Sequence, residues 1–221
     1  MNVSHPHDPL ADRLSQCYTG AVHDVMRARG LSQFVLPPQI TPLESNMRTA
    51  GQAFTIRGRM DRDVSAHDSL VQWTKMLSVA RPGSVVVCQP NDSTIAHMGE
   101  LSAETFMLRG VRGYVVDGGC RDTSMIARLG FPVWRRYDTP SDVVGQWVPD
   151  GMDEPITIGN VTIHAGDYVL GDRDGVVILP KADTAEIIDE AERVMHTENQ
   201  VRKAILDGVD PHEAYLKYGK F

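Results

Sequence analysis

The chain has 221 residues, 42% of them hydrophobic, and a formal net charge of −7, enough for one domain with a buried core. The acidic balance, with no basic run beyond Arg135-Arg136, argues against a nucleic-acid partner. No apolar run approaches the ~18 residues of a membrane span, and the first residues lack the basic and apolar regions of a secretion signal.

Residues 1–9 read as a flexible arm and residues 10–221 as a single α/β domain. Within the arm, His5 and His7 form a pair with ordinary terminal character rather than a metal site. From Leu10 to Arg29, Leu14, Cys17, Ala21 and Val25 recur at spacings of three and four, which predicts one helix closed by Gly30. Pro37-Pro38 and Pro42 mark an extended connector. Gly51–Arg57 is a predicted strand and Asp68–Ala80 a helix, with a turn at Arg81-Pro82-Gly83. Ser84–Cys88 is a short apolar strand, followed by a helix over Gly99–Arg109. Gly113–Val116 is a strand, Asp117–Cys120 a turn, Asp122–Leu129 a helix and Phe131–Trp134 a strand. This alternation predicts parallel βαβ units. Ile156 to Leu179 alternates apolar residues with Gly and Asp turns, as hairpins do. A helix over Asp183–Leu206 follows.

The turn Asp117-Gly118-Gly119-Cys120-Arg121-Asp122 lies at the carboxyl end of a βαβ strand, where open α/β sheets bind ligands. Its two glycines permit close backbone approach. Arg121 offers a guanidinium fork for a carboxylate, and Asp122 offers a hard oxygen for Mg²⁺ or Mn²⁺. As the residue before a helix, Asp122 could equally be an ordinary N-cap. The preceding helix opens with Gly99-Glu100-Leu101-Ser102. Its free amides at Leu101 and Ser102 suit an anion, while Glu100 either holds a metal-bound water or complements the helix dipole. Both turns should open on the same sheet edge.

Glu198 falls on the apolar stripe Ile187, Ala191, Val194, Val201, Ile205 of the last long helix. A carboxylate there needs a partner: Arg202 one turn on, or a metal-bound water, including one across a subunit interface. Cys17, Cys88 and Cys120 have no paired spacing, so neither a disulfide framework nor a zinc knuckle is expected, and a cytoplasmic setting is. Cys120 beside Arg121 is a weak nucleophile candidate. GxSxG, HExxH and Walker A motifs are absent, and no lysine lies in an apolar strand as a Schiff-base aldolase would need.

Glu100 and Arg121 are separated by 20 residues and Asp122 follows. This resembles the acidic-X20-Arg-Asp signature of class II pyruvate aldolases of the HMG/CHA type, within the RraA-like family. GQAFTI, the GEL helix start, VVDGGCRD, GDYVLGDRDGVVILP and the ending YLKYGKF extend the likeness. The resemblance implies a swivelling β/β/α-type fold and a homotrimer or homohexamer. It also implies Mg²⁺ or Mn²⁺ held directly by Asp122 and through water by Glu100 and by Glu198 of a neighbouring subunit. Arg121, with Gly99, Leu101 and Ser102, would hold the pyruvyl group. Those aldolases carry Asp at the Glu100 position, an apolar residue at Ser102 and a small one at Cys120.

The expected function is a metal-dependent lyase that cleaves a C–C bond of a small 2-oxo acid through a pyruvate enolate, by retro-aldol reaction or oxaloacetate decarboxylation. One alternative is a non-catalytic regulator docking on a ribonuclease, as the family name suggests. Another is a sugar-acid lyase or hydratase, with His97 as base.

Overall fold

The computed structural model describes residues 6–220. His5 and Phe221 therefore lie outside the described residues, as do residues 1–5 of the arm. His7 is exposed and meets Asp12 at 3.0 Å. Asp8 accepts the N–H groups of Leu10 and Ala11 and so caps α1 (Pro9–Leu14), with proline at the start of the helix where a missing N–H costs nothing.

In chain order there follow α2 (Thr19–Ala28), β1 (Thr41–Pro42), β2 (Thr49–Met60), α3 (Ala66–Val79), β3 (Ser84–Gln89), α4 (Glu100–Leu108), β4 (Gly113–Val116) and β5 (Gly119–Cys120). Then come α5 (Thr123–Leu129), β6 (Val133–Arg135), β7 (Tyr137–Asp138), β8 (Trp147–Met152), β9 (Ile156–Ile158), β10 (Val161–Ile163), β11 (Tyr168–Gly171), β12 (Val176–Leu179), α6 (Thr184–Leu206) and α7 (Pro211–Tyr218).

The main sheet runs β1-β6-β4-β3-β2-β11-β12, with β8 pairing the far end of β2. Strands β2, β3, β4 and β6 are mutually parallel, which is the βαβ series expected. Strand β3 is buried on both faces and so carries a continuous apolar run. Val86 and Cys88 pack with Phe106, Tyr114 and Phe131 under the helices. Val85 and Val87 face the opposite side, with Trp134 and the β9–β10 hairpin. A third core joins Leu14 and Met26 to Leu179, Ile187 and Ile188.

Four expectations need correction. The single helix over residues 10–29 is two helices, because Asp172 takes the N–H and the hydroxyl of Thr19 at 2.8 Å each and starts α2 afresh. The 51–57 strand is longer, since β2 has partners along its whole length, β11 on one half and β8 on the other. The strand over 131–134 begins only at Val133, and Gly119-Cys120, expected as a turn, forms a short parallel pairing with β7. Helix α7 was not foreseen. Among the described residues no helix is long and apolar enough to cross a membrane.

Candidate functional site

Two strand-to-helix connections, β3 to α4 and β4 to α5, are stitched together by backbone. Ala96 bridges Gly119 in parallel fashion. The His97 amide donates to the Gly119 carbonyl, and the Arg121 amide to the Met98 carbonyl, both at 2.9 Å. This stitching brings Gly99 against the Arg-Asp pair. A Cβ at Gly99 would lie 2.8 Å from Asp122 Oδ2 and 3.3 Å from Arg121 Nε. Glycine there is thus a steric requirement of the site. Gly118 and Gly119 serve packing, since a Cβ on either would strike the His97 ring or Tyr137. Neither glycine lines the cleft in which the Arg-Asp pair sits.

Asp122 is not a side-chain cap of α5. It sits in the left-handed region at φ 55° and makes no capping bond to its own helix. Its Oδ2 instead accepts the Glu100 amide at 3.1 Å, across the two connections, and lies 3.4 Å from Arg121 Nε. A non-glycine residue in that conformation carries strain that its surroundings must hold in place, a condition common at functional sites. Arg121 also donates through Nη1 to Asp142 Oδ2 at 2.7 Å. Two carboxylates therefore flank one guanidinium.

Gly99, Glu100, Leu101, Ser102, Arg121 and Asp122 all line one cleft of about 630 Å³. The two predicted turns thus meet, as the sequence implied. No side chain caps α4 at Gly99, which leaves the Leu101 and Ser102 amides as donors at the positive end of the helix. The Ser102 hydroxyl accepts the buried indole N–H of Trp73 at 3.0 Å. That bond anchors the cleft wall and gives the serine a structural task.

Glu198 does not line this cleft within the chain. Its carboxylate is bonded to the Tyr18 hydroxyl and lies 3.6 Å from Lys220 Nζ. Arg202, the partner considered from sequence, bonds Asn199 instead. Glu198 does line a separate depression with Val201, Ile205 and Leu206.

His97 is buried completely and makes no contribution to the cleft lining. Neither ring nitrogen has a hydrogen-bond partner. Its ring packs edge-on to Trp147, with Nε2 3.7 Å from Asp92. Burial pushes its pKa down to about 4 against the pull of Asp92. The base considered from sequence at the mouth of the Gly99 helix is thus buried away from the cleft lining. Burial likewise pushes the Cys120 thiol up to about 12, so it stays protonated and un-nucleophilic.

Asp142 and Trp73 were missed. Asp142 lies in the loop before β8 and Trp73 on α3, far in sequence from either motif, and neither has a motif of its own. The available signal was weak: an aspartate two residues after Pro140, and a tryptophan whose N–H would need a partner if buried.

The model of the RraA-like family, described as Aldolase/RraA, matches residues 19–178. A protein of Halalkalibacterium halodurans named "putative 4-hydroxy-4-methyl-2-oxoglutarate aldolase" is 31% identical over 183 residues, 82% of this chain and 83% of that protein. The crystal structure of Streptomyces coelicolor RraAS2, described as an unusual member of the RNase ES inhibitor RraA protein family, superposes with a TM-score of 0.79. It is 26% identical and covers 90% of this chain and 98% of that one. A structure described under novel cellulases from microbes of the gut ecosystem is 31% identical with a TM-score of 0.81, covering 90% of this chain and 91% of that one. The mixed α/β architecture is that of the RraA fold.

Proposed function

We propose, from the premise that the chain belongs to the RraA-like family, that it is a divalent-metal-dependent lyase releasing pyruvate from a small 2-oxo acid. The observation that carries this reading is the meeting of Glu100, Arg121 and Asp122 around Gly99 in one cleft. Relatives named as aldolases support it.

Among the described residues no three His, Cys, Asp or Glu side chains are grouped to hold a metal. A cage built wholly from this chain is not what Mg²⁺ needs: it keeps most of its water and takes one or two carboxylates. Asp122 as direct ligand fits that demand, with Glu100, and Glu198 of a neighbouring subunit, acting through water. Bound there, Mg²⁺ or Mn²⁺ supplies Lewis acidity to the 2-oxo carboxylate group. Arg121 hydrogen-bonds the same group and stabilises the enolate oxygen as charge develops. The Leu101 and Ser102 amides receive the carboxylate. Asp142 holds the guanidinium in position. Glu100 and Glu198 would orient the water such an ion carries, which would supply a base toward the C4 hydroxyl and a proton toward C3. Oxaloacetate would pass through the same enolate by loss of CO₂.

Glycoside hydrolysis fits the cleft poorly. It needs two carboxylates facing a sugar with one kept protonated, whereas Asp122 and Asp142 both lie against one arginine.

The test is pyruvate release from a 4-hydroxy-2-oxo acid panel and oxaloacetate. Arg121→Ala should lower kcat/KM by about 100- to 1,000-fold, and EDTA should abolish turnover. Equal rates with Mg²⁺, with EDTA and in the variant would overturn the reading. Binding to a ribonuclease with no lyase activity would favour the regulator.

A further inference from the structure

One buried titratable group has no place in the proposed chemistry. His97 is fully buried in the connection from β3 to α4, and neither ring nitrogen finds a partner among the described residues. Its ring lies edge-on to Trp147, with centroids 5.2 Å apart, and presses on Gly118, where a Cβ would come within 2.9 Å of Nδ1. The backbone around it is tied on several sides. The His97 amide donates to the Gly119 carbonyl at 2.9 Å, and the His97 carbonyl accepts the Tyr114 hydroxyl at 2.8 Å. The Ala96 amide donates to the carbonyl of Ser141, next to Asp142, and the Met98 carbonyl accepts the Arg121 amide, each at 2.9 Å. The segments that present Gly99, Arg121 and Asp142 are thus folded around one imidazole. Asp92 Oδ2 stands 3.7 Å from Nε2, beyond hydrogen-bond reach. That carboxylate already accepts the Thr94 amide, the Thr94 hydroxyl and the Ile95 amide. Of the other ionisable groups on the surrounding strands and loops, Asp117 is paired with Arg136. Burial pushes Cys88, Cys120 and Tyr137 up to about 12, and Tyr114 well above its ordinary value, so all four are uncharged. From β8 the ring meets Trp147, which has no charge.

We infer that His97 is a positioning residue whose neutral ring keeps the Arg121–Asp122 corner assembled, and that acid releases this corner before the sheet gives way. The inference rests on the lyase reading only in taking that corner as the working site. A charge placed in this slot meets desolvation with no hydrogen bond to offset it. Relief comes from outward movement of the connection, which hydrates the ring. That movement breaks the bonds from His97 to Gly119 and from Arg121 to Met98 and leaves the ladders between strands intact. Burial holds the pKa of the enclosed ring at about 4 against the pull of Asp92, whereas the hydrated ring returns to 6.5. The closed state is therefore fully favoured above pH 6.5 and loses ground as pH falls toward 4. This difference promotes opening by about 20-fold between pH 7 and pH 5. The neighbouring aspartates do not produce such a response. Burial raises Asp117 against the pull of Arg136, so its protonation favours the closed form. At Asp92 burial pushes up, but the Thr94 and Ile95 hydrogen bonds pull down harder, so it titrates below its ordinary 3.8 and outside that range.

The experiment follows amide hydrogen exchange on the full chain at pH 7, 6 and 5, corrected for the intrinsic pH dependence of exchange, in wild type and in His97→Leu. In wild type the His97 and Arg121 amides should lose about 20-fold in protection between pH 7 and pH 5. The amides of β11 in the sheet should exchange more slowly than these two at every pH. His97→Leu fills the slot with an uncharged side chain and should hold the protection of the Arg121 amide constant over the same range. Wild-type protection that is equal at pH 7 and pH 5 overturns the inference, whether or not the variant folds. So does a common exchange rate for the His97, Arg121 and β11 amides, which would mean that the corner opens only when the whole chain unfolds. An undiminished acid response in His97→Leu assigns it to another group and has the same consequence. Pyruvate release plays no part in these readouts. A chain without lyase activity leaves this inference standing, and a flat protection profile leaves the lyase reading standing.

Discussion

Gly99 shows how a residue without a side chain can define a site. With a Cβ placed 2.8 Å from Asp122 Oδ2, Gly99→Ala must push the Arg-Asp pair away from the start of α4. A displacement of that order commonly lowers catalysis by about 100-fold, so steady-state pyruvate release should fall by that factor while the fold survives. His97 makes a different prediction. Its folded pKa of about 4 lies below the unfolded value of 6.5. Between those values the unfolded chain binds a proton that the folded chain refuses, so stability is full above pH 6.5 and falls as pH drops toward 4. The loss is about 3 kcal/mol. His97→Leu should remove that share of the acid sensitivity, as read by urea unfolding at pH 7, 5.5 and 4. Arg121 and Asp122 were legible in the sequence because a βαβ series dictates where its turns open. Asp142 was not, because a lone aspartate in a loop acquires meaning only when folding sets it beside a guanidinium.

At the scale of elements, the alternation of β2, β3, β4 and β6 with α3, α4 and α5 was readable, since apolar runs and turn residues coincide there. The break between α1 and α2 was not, because the apolar spacing continues through Ser15–Tyr18 and the interruption comes from Asp172, some 150 residues on. Asp172 is buried and accepts from the Thr19 amide, the Thr19 hydroxyl and the Asp174 amide. Asp172→Ala would leave those donors unsatisfied and release α2 from the β11–β12 connection. We expect a loss of about 2–3 kcal/mol in denaturant unfolding. The Glu100 amide supplies a similar long tie, its acceptor coming from the neighbouring connection rather than from its own helix. Such ties between elements leave no local pattern to read.

For the whole molecule, the outstanding matter is how Glu198 reaches a site that it does not line. In the proposed assembly it arrives from a neighbouring subunit. Leu206, 80% exposed, lines the same depression as Glu198 together with Val201 and Ile205, an apolar patch that association would cover. Sedimentation equilibrium should return three or six times the 24.4 kDa chain mass. A monomer at micromolar concentration would remove Glu198 from the mechanism. Periodicity in the sequence identified Glu198 as an anomaly on an apolar stripe. What holds it in the chain, Tyr18 and Lys220, comes from both ends of the sequence and had no signature.

The left-handed backbone at Asp122 has an evolutionary corollary. Glycine would occupy that conformation more comfortably than any residue bearing a carboxylate. A population screened only for heat resistance would thus be drawn to erase the acid on which the proposed chemistry depends. An aspartate at this corner, in place of the glycine its backbone favours, is what selection for the proposed turnover over robustness would leave.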